Sequence, residues 1–234
     1  MRIPCTVALL TTALLVFATG CTTQVTGTAT QDPAQPPLAI SDDGTGIVAG
    51  FPDAPVHIEL FTEPQCDHCA ALQHTYGDEI ASYINLGELS VTYRFLTFLD
   101  DQPDEDYSWR VVTALFLAAE PASSTKDASG QEFQRFVEEL WASQQPGGPG
   151  PSEAEMADMA TKAGLPAQIA QRIGDVDVSP KADIDDVAKA NYSLLVQTNP
   201  SAPGTPLVYD LKKDEIVDIH ETDWLDKLMS SPSS

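Results

Sequence analysis

A chain of 234 residues, 42% of them hydrophobic, is long enough to bury one large core or two small ones, which excludes a wholly disordered protein. Its 12 Lys and Arg stand against 35 Asp and Glu, a formal net charge of −23. A surface of that sign repels nucleic acid and anionic headgroups, so neither is expected as a partner; it keeps the protein soluble, with selection of basic partners as the lesser alternative.

Residues 1–20 read as a secretory signal: Arg2 carries positive charge, Val7 to Phe17 is mostly apolar, and the small Ala18, Thr19 and Gly20 follow. The apolar run is shorter than the roughly 20 residues that a membrane span requires. Ala18-Thr19-Gly20-Cys21 resembles the bacterial lipobox, in which cleavage precedes a cysteine that receives diacylglycerol. Cys21 is therefore the expected lipidation site, anchoring the protein to the outer face of the cell membrane; ordinary secretion with Cys21 as a thiol is the alternative. Residues 21–45, rich in Thr, Gln, Ala, Pro and Asp, are expected to form a flexible tether.

Ile47 and Val48 then suggest a short edge strand, and 50–55 a turn. Val56 to Thr62 alternates Val56, Ile58 and Leu60, which predicts a strand. From Cys66 to Asn85, Leu72, Tyr76 and Ile80 fall at helical spacing. Leu89 to Leu99, rich in β-branched and aromatic residues, predicts a second main strand, completing a βαβ unit. Helical patterns follow over 104–120, 130–143, 153–163, 167–174 and 182–197, separated by Pro121, 146–151, 164–166 and 179–180. An all-helical block thus interrupts the α/β pattern. Leu207 to Asp210 and Glu215 to Ile219 predict a hairpin, and 223–229 a last short helix.

The chain has only four cysteines. Cys5 lies in the signal and Cys21 is the proposed acylation site, so Cys66 and Cys69 remain for the mature domain. A bridge between them closes too short a loop to stabilise a fold, which favours a redox role. At a helix start, free N–H groups and the helix dipole stabilise a thiolate, making Cys66 the nucleophile. Cys69, more inward, would resolve a mixed disulfide. His68 can supply a hydrogen bond or positive charge, Asp67 opposes it, and the net sign is open.

The run Phe61-Thr62-Glu63-Pro64-Gln65-Cys66-Asp67-His68-Cys69, with Pro200-Ser201-Ala202-Pro203-Gly204-Thr205-Pro206 before a strand, resembles the bacterial DsbA-like branch of the thioredoxin superfamily. The resemblance implies a thioredoxin fold with an inserted all-helical domain. Its first part would span 46–103, the insertion 104–197, and the second part, with a cis-proline loop, 198–234. It further implies Cys66 as attacking thiol, His68 as thiolate-stabilising histidine, Cys69 as resolving thiol, and Pro206 as the cis-proline with Thr205 offering its backbone to substrate. The implied activity is that of a protein-disulfide oxidoreductase without organic cofactor or metal. Its substrates would be unfolded or reduced exported proteins, and a membrane redox partner would regenerate it.

Two departures stand out. Asp67-His68 replaces the common Pro-His dipeptide, which leaves donor, isomerase and reductase roles open. Leu60 stands where many relatives carry a buried acid; Glu59 should face the other side of its strand, and Glu63, an alternative proton acceptor, is expected to be an exposed turn residue. The rival reading is a CxxC metal-binding or metallochaperone lipoprotein of the same fold. Against it, His57, His74 and His220 are scattered, no second CxxC exists, and Ala70 stands where covalent haem needs histidine. Val111, Leu115, Phe116, Phe133, Phe136, Val137, Leu140 and Trp141 are expected to be core, with a substrate groove as a secondary use.

Overall fold

The structure, a computed structural model, describes residues 34–100, 106–121, 126–145 and 147–230. The expected signal, Cys21 and the tether as far as residue 33 lie outside them. The described residues form a mixed sheet covered by helices, the thioredoxin architecture with a helical insertion.

The sheet runs β1-β2-β4-β3-β5-β6. Its centre is β3 (Val56–Thr62), parallel to β4 (Leu89–Phe95) and antiparallel to β5 (Leu207–Asp210). Nearly every residue of β3 is buried, as a strand covered on both faces requires. Four expectations at the margins are corrected. β2 (Ile47–Ala49) is not an edge strand, because β1 (Leu38–Ile40) pairs along its outer side. The later part of the expected tether is therefore structured: a turn closed by the Ser41 N–H on the Gly46 carbonyl (2.9 Å) returns the chain from β1 into β2. Likewise β4 stops at Phe95: the Leu96 N–H makes one more bond to the Thr62 carbonyl, then the chain turns. β6 is only Glu215–Ile216.

Glu59 points away from Ile58 and Leu60, as alternation requires, and meets Arg94. The Arg94 Nε donates to Glu59 Oε1 at 2.8 Å, while Nη1 donates to Asp43 Oδ2 and Thr45 Oγ1, each at 2.8 Å. Arg94 and Glu59 are both buried, so each charge depends on the other. Glu59→Ala is expected to lower stability by about 3 kcal/mol, the usual cost of stranding a buried charge. Denaturant unfolding would measure it, and a loss below about 1 kcal/mol would show that half-exposed Asp43 suffices as counter-ion.

Helix α1 (Asp67–Leu86) starts from Cys66 as its N-cap and stops at Gly87, whose φ of 75° places it in the left-handed region. The insertion supplies α2 (Tyr107–Ala119), α3 (Gly130–Ala142), α4 (Glu153–Lys162), α5 (Ala167–Ile173) and α6 (Ile184–Thr198), and α7 (Trp224–Ser230) closes the described chain. Ser129 with Glu132 and Ser152 with Glu155 form capping boxes that fix the starts of α3 and α4. α3 lies close on α1 because position 77 is glycine: a Cβ there would stand 2.6 Å from Glu138 Cγ. All eight apolar residues expected in the insertion core are buried. They join the sheet residues in one cluster, with Tyr93 and Phe133 in edge contact at 5.4 Å.

Candidate active site

The strand β3 delivers the chain to a tight turn in which the Cys66 N–H donates to the Glu63 carbonyl at 3.1 Å. Cys66 then caps α1, its Sγ accepting from the Cys69 N–H at 3.4 Å. On the other side, the Cys66 thiol reaches the Thr205 carbonyl at 3.4 Å. The Thr205–Pro206 peptide is cis, at the position the resemblance implied. The structure thus brings Cys66, Cys69, Thr205 and Pro206 together although the loop lies 139 positions after Cys66.

Cys66 is half-buried and Cys69 fully buried. A hydrogen bond from the Cys69 thiol is the largest influence on Cys66. With the Thr205 side chain and the N–H groups of Cys69 and His68, it outweighs partial burial and lowers the Cys66 pKa to about 5. Burial pushes Cys69 well above the usual thiol range, and the Cys66 charge beside it adds to this. One thiol is poised to attack at neutral pH while the other holds its proton. Alkylation of Cys66 by iodoacetamide is expected to reach half its limiting rate near pH 5; a midpoint near the ordinary thiol value of about 8.5 would contradict the geometry.

His68 acts on Cys66 through its backbone N–H, and its side chain is exposed. Asp67, also exposed, is the acidic residue of the first turn of α1.

Glu63 corrects the sequence reading. Instead of lying exposed in a turn it is fully buried, at 0% exposure, beneath α2. Its Oε2 accepts from the Gln65 N–H at 2.6 Å and its Oε1 from the Ser108 hydroxyl. Burial raises its pKa to about 7; hydrogen bonds from Ser108 and Gln65 resist, while the charges of Asp100 and Cys66 add to the rise. The cause is tertiary, because Ser108 lies 45 positions along the chain.

Around Glu63 stands a polar layer that sequence reasoning missed. Gln65 Nε2 donates to Asp100 Oδ1 at 2.9 Å and to Ser108 Oγ at 3.2 Å. The Asp100 carboxylate also accepts the N–H groups of Ser108 (2.9 Å) and Trp109 (2.8 Å), satisfying the open first turn of α2. Gln144, just beyond α3, donates to the Pro64 carbonyl at 2.6 Å and the Cys66 carbonyl at 3.1 Å. No local spacing marks these residues; only the fold assembles them.

Beside the dithiol opens a cavity of about 810 Å³, walled by Leu72, Tyr76, Pro206, Val217 and Ile219, with His68 and His220 among its lining. Among the described residues, no three His, Cys, Asp or Glu side chains are placed to hold a metal ion, and no helix is long and apolar enough to cross a membrane.

A low-pKa cysteine at a helix N-terminus, a buried cysteine three residues on and a cis-proline loop against the first define a dithiol site of the thioredoxin type. The chain belongs to the Thioredoxin_4 family, described as thioredoxin, whose model matches residues 42–190. Solved structures of thiol-disulfide oxidoreductases, DsbA among them, share its fold. The thiol-disulfide oxidoreductase MdbA of Corynebacterium matruchotii has a TM-score of 0.64 at 19% identity, covering 82% of this chain and 92% of that one. MdbA of Corynebacterium diphtheriae gives 0.63 at 21%, covering 84% and 96%. Oxidised DsbA of Mycobacterium tuberculosis gives 0.58 at 17%, covering 81% and 93%. In sequence, the chain is 29% identical over 192 residues to the serine/threonine-protein kinase PknE of Mycobacterium tuberculosis, a match over 79% of this chain and 31% of that protein. The chain thus spans less than a third of that relative's length.

Proposed function

We propose that the protein is an extracytoplasmic thiol-disulfide oxidoreductase that forms or exchanges disulfides in exported proteins through the Cys66–Cys69 pair. The observation that carries this reading is the opposite tuning of the two thiols, one accessible and acidic, the other buried and held protonated. A substrate thiolate attacks Cys66 Sγ of the oxidised pair, breaking the Cys66–Cys69 bond and forming a mixed disulfide. Cys69 leaves as a thiolate and takes up a proton, and Glu63, the buried carboxyl whose charge couples to Cys66, is its proposed source. A second substrate thiolate then attacks the substrate sulfur of the mixed disulfide. Cys66 departs as a stable thiolate, the substrate leaves oxidised and the pair is left as a dithiol. In the reverse direction Cys66 attacks a substrate disulfide and Cys69, giving up its proton, resolves it. The Thr205 backbone offers hydrogen bonds to the substrate chain, and the adjoining apolar cavity takes side chains flanking its cysteine.

A lipid on Cys21 would keep the protein near the membrane redox partner that regenerates it. Cys21→Ser is expected to move the protein from the membrane fraction into the medium; unchanged membrane retention would remove the anchor from this account.

The deciding experiment is equilibration of the purified protein in glutathione buffers. A potential near about −120 mV supports disulfide donation, and one near about −270 mV supports reduction or isomerisation. Failure to form the bridge, with stoichiometric metal uptake instead, would replace the oxidoreductase reading with the metal-binding one.

A further inference from the structure

The turn that presents Cys66 is held from the helical insertion. Its Pro64 is buried, so the Pro64 carbonyl cannot turn to water without cost, and it receives Gln144 Nε2 at 2.6 Å. The same nitrogen donates to the Cys66 carbonyl at 3.1 Å, which also accepts the Ala70 N–H of the first turn of α1 at 3.1 Å. The Glu63 carbonyl is occupied by the Cys66 N–H.

Gln144 is itself placed in advance. Its N–H donates to the Trp141 carbonyl at 3.3 Å, and the next N–H, of Gln145, donates to the Tyr107 hydroxyl at 3.4 Å. Arg110 of α2 donates to the carbonyls of Pro149 and Pro151, pinning the chain beyond. Gly150 lies against the Tyr107 ring so closely that a Cβ there would stand 2.5 Å from Cδ2. The amide therefore arrives at the turn from a segment fixed on both sides.

We propose that Gln144 is a positioning residue for the nucleophile: by clasping the Pro64 and Cys66 carbonyls, it holds the Cys66 sulfur within reach of the N–H groups at the start of α1. The inference rests on the reading of Cys66 as the attacking thiol. The Cys69 N–H lies 3.4 Å from that sulfur, at the long end of a useful contact, so a small rotation of the turn breaks it. A brace that served folding alone would change stability and leave the sulfur's titration where it is.

The test is the pH dependence of Cys66 alkylation, followed by mass spectrometry on the full-length protein and on Gln144→Met, which keeps the stem and removes the donor. The midpoint is expected to rise by about one unit, the equivalent of one ordinary hydrogen bond. An unchanged midpoint overturns the proposal, whatever happens to the melting temperature. Should Gln144→Met fail to fold, Gln144→Ala, which removes the donor without adding charge, takes its place, and its midpoint must rise as far or the proposal falls. The titration reads the sulfur without turnover. A protein that titrates as expected but exchanges no disulfides would therefore defeat the proposed function alone.

Discussion

Cys66→Ser is expected to abolish disulfide exchange, a loss of at least about 10³-fold, because the hydroxyl that replaces the thiol is neither ionised at neutral pH nor able to form the mixed disulfide. Cys69→Ser should behave differently. Its Cys66 still attacks, since the N–H groups of Cys69 and His68 remain, but nothing within the protein resolves the product, and mixed disulfides with substrate accumulate. Turnover of a fluorescent disulfide peptide, with non-reducing electrophoresis of the trapped species, would report both. Full turnover by Cys69→Ser, with no trapped adduct, would show that the pair does not work as a dithiol.

Glu63→Gln should separate the pH dependence of stability from that of the chemistry. In the folded protein this carboxyl releases its proton near pH 7, against an ordinary value of 4.5. Between those two values the folded state holds a proton that the unfolded chain has already lost. The stabilisation is complete below about pH 4.5, declines as pH rises, and is gone above about pH 7, a total on the order of 3 kcal/mol. Glutamine stays neutral throughout, so the difference in unfolding free energy between pH 5 and pH 8 should shrink by about that amount. It also removes the buried carboxyl beside Cys66 that is the proposed proton acceptor for Cys69. The resolving step should slow by about 10²-fold, the low end of general-base effects. Denaturant titrations at the two pH values and stopped-flow resolution of a preformed mixed disulfide would measure the two consequences. Parallel wild-type and variant profiles in both would show that Glu63 is a structural group only.

The parts of this architecture that were legible in the sequence are those written in local periods and punctuation. Val56, Ile58 and Leu60 mark β3 through strict alternation, and its observed limits are the expected ones. The helical pattern read over 130–143 falls on α3, which begins at Gly130 and ends one residue short of the expected limit. Cysteine counting led directly to Cys66 and Cys69, because the compartment expected for the chain gives so short a bridge no structural purpose. What stayed hidden was either too short or too distant. β1 has three residues, fewer than an alternating pattern needs to stand out, and its place is set by pairing with β2. Glu63 reads as a turn residue by every local rule, and only the arrival of Ser108 and α2 buries it. Gln144 sits in an unremarkable polar stretch, and its role comes from carbonyls about 80 positions earlier. The site divides the same way: its reacting atoms are local in sequence, and the groups that tune and hold them are not.

The span of 139 positions between Cys66 and Thr205 also sets an order of events at the ribosome. β3, α1 and β4 can be complete, with both sulfurs in place, while the loop that will cover them has yet to be made. At about 5 to 20 residues per second, the wait is on the order of ten seconds. During that time the nascent chain carries an unguarded pair of thiols, open to any oxidant or stray cysteine it meets. Only when β5 takes its place beside β3 does the protein's own reactivity come under the control of its fold.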